Sequence, residues 1–341
     1  MDGDMVLNER QNNLLKIIAE DYIKTARPVG SKAICELLNC SSATIRNEMA
    51  YLEECGLLEK THTSSGRIPS EKGYRYYVDH IMKPKELTGE DMLKLQTIFS
   101  NNELMLNDTI IRSMELISEL TSYTAVVLGE ASSLNKVSKV EAVPLNENNL
   151  IAIVITDKGH VEHRNIYIEK SVKPDEIKKT VELINKLIVG TPIDEVSSKL
   201  EFEVKPIISQ YVEQHEVLYN AFYSAFNNFA SDTFDNVKVK GTSNFLNEPE
   251  FNNDADKIRK IISKFDDKNI VSSIKEEDNG INIYIGSENE FDDDVTVIKT
   301  KYKVNDGEGT IALIGPKRME YDRVISLLDY IKHNIDKNGG L

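Results

Sequence analysis

Tryptophan is absent from the 341-residue chain, and cysteine occurs only three times, at Cys35, Cys40 and Cys55, all in the first sixth. An odd number of thiols, with no CxxC pair and no histidine at zinc-ligand spacing, supplies neither a zinc framework nor a set of paired bridges. The better reading is small buried thiols in a helical module, with a metal or redox site as the alternative. No apolar run approaches the roughly 18 residues of a membrane span. Met1-Asp2-Gly3-Asp4 lacks the basic, then apolar, layout of a signal peptide, so a cytoplasmic protein without a membrane partner is expected.

An excess of positive charge is missing too. The formal net charge is −15, which at first argues against a nucleic-acid partner. Its distribution argues otherwise: residues 1–85 carry 12 Lys+Arg and 12 Asp+Glu, whereas residues 86–341 carry 29 and 44. A neutral reader on an acidic body is workable, because the body repels random phosphate contacts and leaves local basic groups to select one docking face. With 40% hydrophobic and 28% charged residues, the composition is that of a globular protein of two or three domains.

The opening stretch carries the clearest pattern. Residues 8–24 read as an amphipathic helix capped by Asn8, and Arg27-Pro28-Val29-Gly30 breaks it. Ser31 caps a short helix from Lys32 to Leu38. A third helix follows Ser41-Ser42, with Ile45, Met49 and Leu52 on one apolar face and Gly56 as its stop. Leu57 to His62, the turn Thr63-Ser64-Ser65-Gly66 and Arg67-Ile68 form a hairpin. Helix, short helix, turn, helix, hairpin is the order of a winged helix-turn-helix.

With that face inward, a rotation of about 100° per residue puts Ala43, Asn47, Ala50 and Glu54 outward, with Ser42 and Arg46 at the flank. Arg46 offers a bidentate fork to guanine, Asn47 pairs with adenine, and small Ala43 and Ala50 permit close approach. Ser42, Ala43, Thr44, Arg46 and Asn47 are therefore the expected base-reading end. His62, Thr63, Ser64, Ser65 and Arg67 are the expected wing contacts to phosphate or minor groove. The plainer alternatives are a solvated helix face and an ordinary polar turn. The tyrosines of Gly73-Tyr74-Arg75-Tyr76-Tyr77 read as packing at the root of the wing rather than as a stacking platform.

The segment PVGSKAICELLNCSSATIRNEMAYLEECGLLEKTHTSSGRIPSEKGYRYYVD resembles the N-terminal domain of the HrcA family of bacterial heat-inducible transcription repressors. SELTSYTAVV at 118–127, GTSNFLNEPEF at 241–251 and GTIALIGPKRMEYDRVISLLDYI at 309–331 resemble that family's further signatures, in its order. The resemblance implies an α+β multidomain chain: a winged helix-turn-helix, then a GAF-like α/β domain interrupted by an inserted α+β dimerisation domain. It also implies a homodimer, the CIRCE inverted repeat in double-stranded DNA as operator, and the GroEL chaperonin as the partner that keeps the repressor active. The expected domains are 1–86 for the winged module, 87–134 and 232–341 for the GAF-like domain, and 135–231 for the insert.

Beyond the first module, Leu104, Ile110, Ile111, Met114, Ile117 and Leu120 mark a packed helix. Tyr123 to Leu128, Val137 to Leu145, Leu150 to Thr156 and Val161 to Ile168 alternate as strands. Helices are expected at 174–189, 193–200 and 206–230, strands at 281–285, 295–302 and 310–314, and a closing helix at 320–334. The acidic runs Asp266-Asp267 and Asp292-Asp293-Asp294 read as solvated loops.

Catalytic chemistry is hard to find. Gly307-Glu308-Gly309 lacks the Lys-Ser/Thr of a phosphate loop. His160 and His163 have no third ligand in view. Gly315-Pro316-Lys317-Arg318-Met319 reads as a strand-to-helix turn, with an anion site as its alternative. No enzyme, no metal and no cofactor are expected. The alternative to a heat-responsive repressor is a regulator that senses a small molecule in the GAF-like domain.

Overall fold

The computed structural model describes residues 6–60, 66–101, 104, 106–129, 136–157, 161–168, 173–207, 220, 223, 237–251, 254–276, 278–304 and 307–338. Two compact units are present, one of residues 1–129 with 237–341 and one of residues 130–236.

The first unit opens with α1 (Glu9–Thr25), α2 (Ser31–Leu38) and α3 (Ser42–Glu54), followed by the hairpin β1 (Leu58–Lys60) and β2 (Arg67–Pro69). Asn8 and Gln11 close a capping box at the start of α1, each side chain satisfying the other's backbone N–H. Ser41 Oγ accepts from Thr44 N at 3.1 Å and caps α3. Gly56, at φ +74, takes the left-handed turn that releases the chain from α3 into the wing. Leu14, Leu15, Ile18, Ile34, Ile45, Met49 and Leu52 share one buried core. Each such side chain contributes about 1.5–3 kcal/mol relative to exposure. The three cysteines are half-buried against it, and Cys35 Sγ donates to the Ser31 carbonyl.

After α4 (Glu71–Tyr76), a π-helical turn (Tyr77–Ile81), α5 (Gly89–Phe99) and α6 (Leu106–Thr121), the chain enters a five-stranded antiparallel sheet. Its strands in this unit are β3 (Thr124–Leu128), β7 (Val237–Lys240), β8 (Ile281–Ile285), β9 (Val295–Val304) and β10 (Gly307–Pro316), in the spatial order β7-β3-β10-β9-β8. Helices cover both faces. Ala125 and Val127 meet Met114 and Ile117 of α6 and Leu328 and Ile331 of the closing helix. Val126 and Leu128 meet Phe245, Phe251 and Phe265. Burial on both sides is why β3 is apolar without interruption from Ala125 to Leu128, with the one polar side chain, Thr124, donating its hydroxyl to the Gly241 carbonyl.

The winged module is not a bead on a string. Ala19 and Ile23 of α1 and Tyr74 and Tyr77 of the α4 region belong to the same apolar cluster as Ile298, Leu313 and Tyr321. Where a boundary at residue 86 was expected, the packing is continuous. The tyrosines are packing groups.

The second unit holds the meander β4 (Val137–Pro144), β5 (Asn149–Thr156) and β6 (Val161–Tyr167), with α7 (Pro174–Ile188) and α8 (Ile193–Lys199). Leu150, Ala152 and Val154 of β5 pack with Ile184 and Ile188 of α7. The Asn185 amide pairs with both backbone groups of Val140, at 2.7 and 2.6 Å, satisfying the edge strand beside a bulge. The expected helix at 206–230 lies mostly outside the described residues.

Two expectations are revised. Strand β7 was not foreseen: four residues alternating valine and lysine at a sheet edge give too short a signal. The acidic runs are solvated only in part: Asp266, Asp267 and Asp293 are exposed, whereas Asp292 and Asp294 turn toward lysines. Asp292, 5% exposed, binds Lys264 at 2.7 Å, and Asp294 binds Lys257 at 2.8 Å, both lysines coming from α9 (Ala255–Asp266). Asp266 ends α9 and Asp267 caps α10 (Lys268–Ser272). The chain closes with α11 (Tyr321–Asn338).

Candidate nucleic-acid interface

Helix α3 presents its apolar edge to the core and its other face to solvent. Ala43, Arg46, Asn47 and Ala50 are exposed, and Ser42 and Thr44 are half-buried. Arg46 Nε donates to the Ser42 carbonyl one turn back, which lays the guanidinium along the exposed face. The two hydroxyls have local duties: Ser42 Oγ is 3.1 Å from Ser31 Oγ, tying α3 to α2, and Thr44 Oγ1 is 2.9 Å from Ser41 Oγ within the cap. Of the residues expected to read bases, Arg46 and Asn47 are the exposed polar side chains, with Ala43 and Ala50 as small neighbours.

The hairpin is held to α3 by a carboxylate absent from the expected site. Glu53, in the last turn of α3, accepts from Arg67 Nε at 3.0 Å and lies 2.8 Å from its Nη2; Lys60 Nζ approaches at 3.0 Å. Both wing strands are thus clasped by one side chain. Partial burial alone pushes the Glu53 carboxyl up, but the hydrogen bonds and charges of Lys60 and Arg67 outweigh it and hold the group below its ordinary value. The second strand is fixed further by its backbone, since Val29 and Arg67 exchange two N–H···O bonds of 2.9 Å.

Arg67 consequently departs from its expected place among the phosphate contacts. Its side chain is only 13% exposed and its charge is met by Glu53, so it braces the wing from within. His62, Thr63, Ser64 and Ser65 lie outside the described residues. Sequence reasoning also passed over Tyr51, 44% exposed. The signal was available: 43, 47 and 51 recur at i, i+4 and i+8, one stripe of a helix.

Among the described residues, no cluster of His, Cys, Asp or Glu is arranged to hold a metal ion. No described helix is long and apolar enough to cross a membrane.

Comparison with known proteins agrees with this geometry. A family model for a DeoR-like helix-turn-helix domain matches residues 10–70, which is the span from α1 through β2. A second, for the HrcA protein C terminal domain, matches residues 107–325. The heat-inducible transcription repressor HrcA of Bacillus pumilus (strain SAFR-032) is 38% identical over 336 residues, covering 97% of each chain. The chain belongs to the HrcA family. The HrcA of Lysinibacillus sphaericus is 39% identical over 335 residues, covering 96% of each chain. A crystal structure of a hypothetical protein, 25% identical, aligns with a TM-score of 0.70 over 97% of this chain and 98% of that one. HrcA relatives are named as transcription repressors, so this is a family of regulators and not of enzymes.

Proposed function

We propose that this chain represses heat-shock chaperone operons by binding an inverted-repeat operator, CIRCE, as a homodimer in the cytoplasm. The observation that carries the reading is the exposed Arg46–Asn47 end of α3, set beside a wing clasped to the same helix. Arg46 reads guanine, Asn47 reads adenine, and Ser42, Ala43 and Thr44 line the approach. The wing tip, His62 to Ser65, meets phosphate or minor groove. Relatives named for heat-inducible repression favour this over small-molecule sensing.

A single winged module reads too few base pairs for genomic specificity, so two must be paired. Residues 130–236 are the unit assigned to pairing. The β4-β5-β6 face opposite α7 supports that assignment: it carries Ile151, Ile153 and Ile155 in its centre and exposed Val143, Val161 and Tyr167 around them. The remaining sheet unit is the GAF-like domain of the family resemblance. Release on heating follows when unfolded clients divert the GroEL chaperonin that keeps the repressor in its DNA-competent form.

The test is a salt-controlled gel shift on an inverted repeat, with and without chaperonin. Specific binding strengthened by chaperonin is expected. Binding no tighter than to random DNA would refute the repressor, and operator binding indifferent to chaperonin and heat would refute the regulatory step alone.

A further inference from the structure

The turn between β10 and α11 carries two adjacent cations in Gly315-Pro316-Lys317-Arg318-Met319, and neither awaits an anion. Lys317 Nζ lies 2.9 Å from Glu71 Oε1 in the first turn of α4. Arg318 Nη1 donates to the Ile23 carbonyl, at 3.2 Å, near the end of α1. Its other donors go to Glu248 and Glu250, and its side chain is only 12% exposed.

The neighbouring strand end grips the same surface of the winged module. The second oxygen of Glu71 accepts from Ser287 Oγ at 2.9 Å. Arg75 Nε donates to Glu288 Oε1 at 3.0 Å, and its Nη2 meets both Glu288 and the Ile283 carbonyl. Between these polar contacts the rings of Tyr74 and Tyr321 pack 6.0 Å apart. Gly286 makes the approach possible: at φ +54, a Cβ there would lie 2.1 Å from Glu71 Oε1. Contacts from α1 and α4 to two separate turns leave the module little freedom to swing.

We propose that Lys317, Arg318 and Glu288 are positioning residues for DNA binding, holding α1 and α4 so that a dimer presents its two recognition helices at one fixed attitude. This rests on the dimeric repressor reading. The two half-sites must be engaged together, and the second engagement gains from effective concentration only if the modules are already aimed at it. A lone half-site makes no such demand. Residues that never approach DNA thereby set affinity for the full operator.

The experiment uses the full-length chain on two duplexes, one with the inverted repeat and one with a single half-site. K317E and E71K are each expected to lose roughly tenfold on the inverted repeat and little on the half-site, as loss of preorganisation gives. The K317E/E71K double variant, which restores the pair with charges exchanged, is expected to recover most of the loss. Gly286→Ala keeps every charge and is expected to repeat the single-variant loss. Single variants that bind the repeat as wild type does, equal losses on both duplexes, or a double variant without recovery would each overturn the proposal. Failure of the wild-type chain to prefer the inverted repeat over random DNA would instead strike the repressor reading, so the two failures are told apart.

Discussion

Replacing Arg67 with alanine separates a phosphate contact from an internal brace. Its Nε and Nη2 lie 3.0 and 2.8 Å from Glu53 Oε2, and its side chain is 13% exposed. Hydrogen bonds to a charged partner contribute about 1.5–3 kcal/mol. Deletion leaves Glu53 with Lys60, whose side chain is 61% exposed. Such an exposed pair contributes about 0–1 kcal/mol and offsets little. The expected cost to the winged module is therefore about 2 kcal/mol. The salt dependence should barely move, because the lost charge was already met by a carboxylate. A direct phosphate contact would instead flatten the log–log slope by about 0.9. Fluorescence anisotropy over a salt series, with a thermal melt of the same variant, reads both quantities. A slope flattened by about one contact with an unchanged melt would refute the brace and restore the phosphate role.

Arg46→Ala should cost ~1–3 kcal/mol on operator DNA and relax preference at one base pair; an equal loss on random DNA would show that it does not read bases. Phe251, fully buried against Phe245 and the sheet, should cost about 3–5 kcal/mol when cut to alanine, read as a lower urea midpoint. A loss below about 1 kcal/mol would mean that this face is loosely packed. The clasp should also carry a pH signature. Because the folded Glu53 titrates below its unfolded value, its contribution is present above the ordinary glutamate range and is lost as pH falls through the depressed value. The stability gap between wild type and Glu53→Gln should thus be constant near neutrality and close in acid, and a gap that widens on acidification would contradict the ion pair.

The elements most legible in the sequence are those set by one local rule. Asn8, Ser41 and Gly56 mark helix ends through caps and a left-handed turn, and Ile45, Met49 and Leu52 mark a buried face by spacing. Strand β8 runs over Ile281–Ile285 as periodicity predicts. What escaped notice depends on partners distant in sequence. Asp292 looks like a solvated acid until α9 brings Lys264 to it, and β7 is a strand only because β3 offers an edge. Arg67 shows the same limit within the site. A basic residue in a polar hairpin suggests phosphate, and only the position of Glu53 reveals that its charge is turned inward. Lys317 and Arg318 likewise signal an anion by type and meet Glu71, Glu248 and Glu250 by topology.

Strands β3 and β7 are hydrogen-bonded neighbours, with Leu128 opposite Val237, although residues 130–236 intervene. In topological terms the whole second unit is the loop of a β-hairpin. Were that loop a disordered chain of roughly a hundred residues, joining its ends would cost about 3 kcal/mol more than a tight turn. An insert with a core of its own shortens the effective loop and lowers that cost, so destabilising that core is expected to loosen β7 from β3, read as faster amide exchange at Val237–Lys240.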